Sequence, residues 1–173
     1  GGAALTAAIA EVANELKAQF PVESVGVSAA GWVSSDRKTM LATPNISGWN
    51  GVNLDYEFTQ LIGLPVVIEN DANSAAWGEA RFGAAKGKQH VLLLTIGTGL
   101  GGGIVIDGKL HRGAFGIAAE VGHMRVVPDG LLCGCGAKGC FEQYGSGSAL
   151  MRHTREAIEA NPDIAEKLLA RGD

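Results

Sequence analysis

The three cysteines of the chain all fall in "CGCGAKGC", as Cys133, Cys135 and Cys140, and His123 stands ten residues ahead of the first. One imidazole and three thiols form the soft tetrahedral donor set that favours Zn²⁺, and four protein ligands leave no coordination position open for catalysis. Gly134, Gly136 and Gly139 allow the sharp bends needed to bring three sulfurs to one point. A disulfide would use two thiols and leave one over, while a C-x-C redox pair and buried free thiols are the other readings. The spacing points to a structural Zn²⁺ site formed by His123, Cys133, Cys135 and Cys140, with the segment folded around it. Glu120 and Glu142 flank this cluster. Closing the site would therefore also fix two carboxylates, which can accept hydrogen bonds from the hydroxyls of a ligand.

Ahead of the cluster, helical and extended patterns alternate. Leu5, Ile9, Val12, Leu16 and Phe20 recur at steps of three and four and predict the apolar face of an amphipathic helix. "VESVGVSAAG" reads as a strand ending at Gly31, and "NISGWNGVNL" as a turn-rich loop. "DYEFTQLIG" predicts a short helix closed by Gly63, "PVVIE" a strand, and "DANSAAWGEARFG" a helix from Asp71 with a closing glycine. "HVLLLTIG" reads as a buried strand whose hairpin partner lies in "GGGIVIDGKLHRG", with Asp107-Gly108 as a tight-turn dipeptide. The tail from Ser148 is helical. This order predicts an α/β fold. A boundary is expected in "GAAKGKQ", dividing residues 1–86, the remainder of one α/β domain, from 87–173, the first part of a second that carries the metal site.

With 173 residues, 46% of them hydrophobic, the chain can bury one sizeable core or two small ones. No apolar run is long enough to span a bilayer and no signal-peptide layout opens the sequence, so a cytoplasmic location is expected. A net charge of −4 without any Lys/Arg cluster argues against a nucleic-acid footprint on this segment.

Two further stretches carry chemistry. "GTGLGG" has Gly97, Gly99 and Gly102 at dinucleotide-fingerprint spacing, but a strand follows where that fingerprint requires a helix. What remains is a strand, a glycine turn centred on Thr98, and a second strand. Its backbone N–H groups can face a phosphate, though a hairpin that needs glycines only for its turn is the alternative. In "IENDANSAAWGE", Glu69, Asn70 and Asp71 sit where a strand ends and a helix begins. Ligands bind at such ends in open α/β sheets, yet Asn70 or Asp71 could simply cap the helix. Beside a phosphate turn, an aspartate here could take a proton from a hydroxyl nucleophile.

Taken together, "IENDANSAAWGEARFGAAKG", "TIGTGLGGGIVIDGKLHRG" and "AAEVGHMRVVPDGLLCGCGAKGCFEQYGSGSAL" resemble the ROK family (repressor, ORF, kinase), and within it the glucokinase branch. The resemblance implies the actin-like, hexokinase-like ATPase fold, with two domains and a cleft in which sugar and nucleotide meet. By the same resemblance, Asp71 is the base that receives the proton of the sugar 6-hydroxyl as it attacks the γ-phosphate of ATP, which binds with Mg²⁺. Asn70, Glu120, His123 and Glu142 would bind the sugar, His123 through one nitrogen while the other holds zinc. Gly31 and Asn45 match segments that line the sugar side, and Thr98 and Gly99 would lie against the transferring phosphate. A hexose, expected to be glucose, and a nucleotide are the implied partners, and the protein is expected to form a homo-oligomer.

Kinases of the family begin with a D-x-G-x-T-K phosphate motif and later carry a glycine-rich adenosine segment, and neither has a counterpart here. The segment thus resembles the middle of such an enzyme and is expected to be inactive alone. Two other functions stay open: the sugar-sensing part of a ROK repressor, and a zinc-stabilised sugar-binding module without catalysis.

Overall fold

The computed structural model describes residues 1–43 and 45–170 and resolves two compact units, one of residues 1–93 and 102–119, the other of residues 94–101 and 120–173. The elements run α1 (Gly2–Gln19), β1 (Val25–Ala29), β2 (Trp32–Val33), β3 (Thr39–Ala42), β4 (Val52–Asn53), α2 (Leu54–Ile62), β5 (Val66–Asn70), α3 (Asp71–Arg81), β6 (Val91–Ile96), β7 (Leu100–Ile106) and β8 (Lys109–His111). A 3-10 turn at Val121–His123 follows, then α4 (Glu142–Gly145), α5 (Gly147–Ala160) and α6 (Pro162–Leu169). The mixed α/β order expected from the sequence is the one observed.

In the first unit, β1 and β5 pair in parallel from Val25↔Val66 to Ala29↔Asn70. Parallel strands need a crossover. Here the chain makes a small antiparallel sheet of order β2-β3-β4 and then α2 before it returns as β5. That register sets the strand ends level, so the Gly31 turn after β1 arrives beside Asn70. The core beneath is built of Val27, Ala29, Val33, Met40, Trp49, Leu54, Phe58, Ile62 and Ile68. Trp49 meets Phe58 edge to face with centroids 6.3 Å apart, and its Nε1 donates to Thr6 Oγ1 at 3.0 Å. The buried indole thus keeps a polar partner, as a buried N–H must.

α1 inverts the face expected of it. Gly2, Thr6, Ala10 and Ala13 are its buried residues, while Leu5, Val12, Leu16 and Phe20 are exposed. Small side chains let the helix come close to its neighbours: a Cβ on Gly2 would fall 2.5 Å from Trp49 Cδ1. The larger residues of the repeat stay outside, and only Ile9 packs against the core from their row. The loop around Trp49 also holds more order than its turn-rich composition indicates, since it supplies both a core indole and β4.

α2 begins on Asn53, whose side chain accepts from the Tyr56 N–H, and ends at Gly63 with φ 72°. α3 stops at Arg81 with Phe82, not a glycine, as its C-cap, and Gly83 merely donates back to Glu79 O. β6, β7 and β8 form one sheet, and Asp107 and Gly108 both take positive φ in the tight turn joining the last two, as their sequence predicts. β6 is not the buried strand its composition suggests, because Leu92, Leu94 and Ile96 on one of its faces are exposed.

The second unit is a loop-rich body closed by α5, whose first turn is capped by Ser146 Oγ accepting from the Ala149 N–H. Two isolated bridges, Arg125↔Cys140 and Leu132↔Lys138, fold the cysteine segment back on itself. Tyr144 Oη accepts from the Leu131 N–H at 2.8 Å and ties that loop to α4.

Candidate functional site

In the first unit, the end of β5 and the start of α3 carry a connected polar group. Asn70 is the N-cap of α3, its Oδ1 accepting from the Asn73 N–H at 3.0 Å. The same side chain donates from Nδ2 to Gly31 O at 3.0 Å and to Asp71 Oδ1 at 3.1 Å. Asp71 Oδ1 also accepts the Ala72 N–H at 2.9 Å. Both bonds fall on one oxygen and orient the carboxylate, and among the described residues no hydrogen bond falls on Oδ2. The capping role weighed for Asn70 is real, and it is the capping geometry that holds the aspartate. Gly31 enters the group through its carbonyl. Asn45 is exposed and donates its backbone N–H to Thr43 Oγ1 at 3.4 Å, and among the described residues no hydrogen bond joins it to Asn70 or Asp71.

Glu69 and Arg112 complete this group and were not foreseen as site residues. Glu69 Oε2 accepts the Arg112 Nε–H at 2.7 Å and pairs with its Nη2 at 2.6 Å, and its Oε1 accepts the Asn70 N–H at 3.1 Å and Asn73 Nδ2 at 3.3 Å. Glu69 was visible in sequence only as a strand-end acid. Nothing in the pattern around "KLHRG" marks Arg112, which lies 43 positions from its partner.

In the second unit, the ligand atoms of His123, Cys133, Cys135 and Cys140 all lie within 4.8 Å of one another. A tetrahedral site with Zn–S bonds of about 2.3 Å has edges of roughly 3.8 Å. The Cys135–Cys140 sulfurs are 3.7 Å apart, and His123 Nδ1 is 3.6 Å from Cys133 Sγ. Donor chemistry and spacing both fit a closed Zn²⁺ site. Burial first, then the neighbouring thiols, pushes Cys140 up to about 12, whereas Cys135 is lowered, chiefly by the backbone N–H of Ala137. The other imidazole nitrogen, Nε2, faces Glu120 Oε2 at 3.8 Å. One ring thus addresses the cysteines and a carboxylate from opposite nitrogens.

The glycine turn between β6 and β7 lies in this same unit. Gly97 N–H donates to Gly99 O at 3.0 Å, and Gly147 N–H donates to Gly97 O at 2.7 Å, joining the turn to the start of α5. Glu142 Oε2 accepts the Leu100 N–H at 3.0 Å. Among the described residues no hydrogen bond is made by the Thr98 and Gly99 amides of this turn, and Thr98 is exposed.

The ROK family pattern matches residues 2–170. Over 170 residues the chain is 52% identical to a glucokinase of Streptomyces coelicolor, a match covering 98% of this chain and 53% of that protein. It is 39% identical over 142 residues to the xylose repressor of Bacillus subtilis, covering 81% of this chain and 36% of that one. Among solved structures, a ROK family glucokinase from Streptomyces griseus in complex with glucose and AMPPNP superposes with a TM-score of 0.83 at 53% identity, over 96% of this chain and 53% of that chain. The chain therefore spans about half the length of the glucokinases it matches, and its α/β architecture is part of the actin-like ATPase fold. With the family pattern running through nearly every residue and relatives at this identity, the chain belongs to the ROK family.

Proposed function

We propose that the full-length protein is an ATP-dependent hexose kinase that phosphorylates the 6-hydroxyl of glucose. The observation that carries this reading is the orientation of Asp71, whose Oδ1 is held by Asn70 Nδ2 and the Ala72 N–H. A carboxylate fixed through one oxygen, with the other available, is what a proton acceptor for an attacking hydroxyl requires. The glucokinase relatives and the glucose- and AMPPNP-bound structure support the choice of substrates.

In this reading Asn70, Glu120, His123 and Glu142 hydrogen-bond the sugar, with Gly31 and Asn45 contributing on its periphery. Asp71 takes the 6-hydroxyl proton as the oxygen attacks the γ-phosphorus, whose bond to the bridging oxygen breaks as ADP leaves. The free amides of Thr98 and Gly99 receive negative charge building on the transferring phosphoryl group. Mg²⁺ bound with ATP supplies further charge neutralisation. His123, Cys133, Cys135 and Cys140 hold a structural Zn²⁺, which contributes folding energy to the loop and leaves His123 Nε2 for the sugar. Thiolate ligation suits a reducing compartment, and we place the enzyme in the cytoplasm. We also expect a homo-oligomer.

Identity to the xylose repressor favours a second reading, a sugar-responsive repressor. A repressor has no use for a proton acceptor, and the care with which Asp71 is oriented favours the kinase. The test is a coupled assay of the full-length protein with ATP, Mg²⁺ and a panel of glucose, fructose, mannose and N-acetylmannosamine. Glucose should give the highest kcat/KM. Saturable sugar binding with no phosphorylation of any member would overturn the kinase in favour of a repressor or a binding module.

A further inference from the structure

We infer that Arg112 and Glu69 are a positioning pair for Asp71, a role that rests on the kinase reading above. The side chain of Glu69 uses both oxygens, and each serves a different partner. Oε2 accepts the Arg112 Nε–H at 2.7 Å and forms an ion pair with Nη2 at 2.6 Å. Oε1 takes the Asn70 N–H at 3.1 Å and Asn73 Nδ2 at 3.3 Å. Asn70 in turn reaches Asp71 Oδ1 at 3.1 Å. Arg112 thus acts on Asp71 through two intermediates, the Glu69 carboxylate and the Asn70 side chain, without touching it.

The pair is placed to make this control firm. Glu69 is 14% and Arg112 25% exposed at the side chain, enough burial for a charge-assisted pair to escape most of the screening that weakens surface ion pairs. Arg112 itself follows β8, and its backbone O accepts the Ala118 N–H at 3.0 Å, so the guanidinium is presented from a closed loop. Asn73 is 2% exposed and belongs to the first turn of α3, so its amide cannot turn to water if Glu69 moves. A swing of Glu69 would withdraw the acceptor for both the Asn70 N–H and Asn73 Nδ2, and would loosen the cap that aims Asp71.

A lysine at position 112 could place one charge near Glu69 but cannot combine the Nε–H hydrogen bond with a second guanidinium nitrogen held in the same rigid plane. Misplacement of a reacting group by about 1 Å can lower a rate on the order of 10²-fold. The variants Arg112→Ala and Glu69→Gln should therefore lower kcat by about 10- to 10²-fold while the KM for glucose changes by less than about threefold. Arg112→Lys should recover part of the loss.

The deciding experiment is a double-mutant cycle with Asp71→Asn in the full-length protein, with thermal melting of every variant. If Arg112 acts through Asp71, adding Arg112→Ala to Asp71→Asn should lower kcat by less than about twofold further. Should Arg112→Ala not fold, Arg112→Lys and Glu69→Gln enter the cycle in its place. A full multiplicative loss in the Asp71→Asn background, or an unchanged kcat in the single variants, would overturn the inference while leaving an active kinase. An inactive wild-type protein on every hexose would instead remove the kinase reading and the inference with it.

Discussion

Glu142 Oε2 lies 3.0 Å from the Leu100 amide nitrogen, while Oε1 of the same carboxylate stands 3.8 Å from Cys133 Sγ. One side chain therefore touches both the glycine turn and the cysteine cluster. The family resemblance implies that Glu142 binds the sugar, and the geometry gives it a further task, that of bracing the turn against the cysteine loop.

The absence of a side chain at Gly99 is what lets this contact form. A Cβ there would fall 2.5 Å from Glu142 Oε2 and push the carboxylate off Leu100. Gly99→Ala should raise the KM for ATP and lower kcat/KM by about tenfold, since it would re-aim the amides proposed to face the transferring phosphate. Steady-state kinetics of the full-length protein check this, and unaltered ATP kinetics would show that the turn tolerates the shift.

Zinc content tests the cluster. Purified protein should carry about one Zn²⁺ per chain, and Cys135→Ser should lose it together with several degrees of melting temperature, because a closed site contributes binding energy to folding. Elemental analysis and differential scanning calorimetry measure both. A metal-free protein prepared in reducing buffer with an unchanged melting temperature would remove the assignment.

The cluster should also bind metal in a pH-dependent way. Cys140, held up to about 12 by burial and its neighbouring thiols, keeps its proton at neutral pH when no metal is bound. A thiol must give up that proton to ligate, so Zn²⁺ uptake should release protons and the apparent affinity should weaken as pH falls. Titration calorimetry in buffers of different ionisation enthalpy reads the proton count directly; a heat independent of buffer would contradict it.

The cap on α3 gives a stability test separate from catalysis. Asn70→Ala removes the acceptor for the Asn73 N–H and the donor to Gly31 O. It should lower stability by about 1–2 kcal/mol. Urea unfolding with an unchanged midpoint would mean that the backbone turn alone holds the strand end.

What could be read from the sequence was what local chemistry dictates. Gly63 closes α2, Asp107-Gly108 turns β7 into β8, and the His123 and cysteine spacing gathers four ligand atoms, all because the residues concerned lie close together in the chain. The Asn70-Asp71 pair was legible as a strand-to-helix junction. Less legible was anything decided by packing between distant segments. α1 buries Gly2, Thr6, Ala10 and Ala13 in place of its larger residues, and Gly2 comes close enough to Trp49 that a Cβ there would fall 2.5 Å from its Cδ1. The two-residue strands β2 and β4 carry too few positions for a period to register, and the Arg112–Glu69 pair joins residues 43 apart with no shared pattern.

The turnover number of Asp71→Asn in the full-length protein, measured with saturating ATP, Mg²⁺ and glucose beside glucose binding by calorimetry, tests the central claim most directly. Asparagine keeps the size of the side chain and an oxygen for the Ala72 N–H, but it cannot accept the hydroxyl proton. The account predicts that kcat falls by about 10²-fold or more while glucose affinity changes by only a few-fold. A kcat within a few-fold of wild type would contradict it, leaving Asp71 as no more than the first residue of a helix.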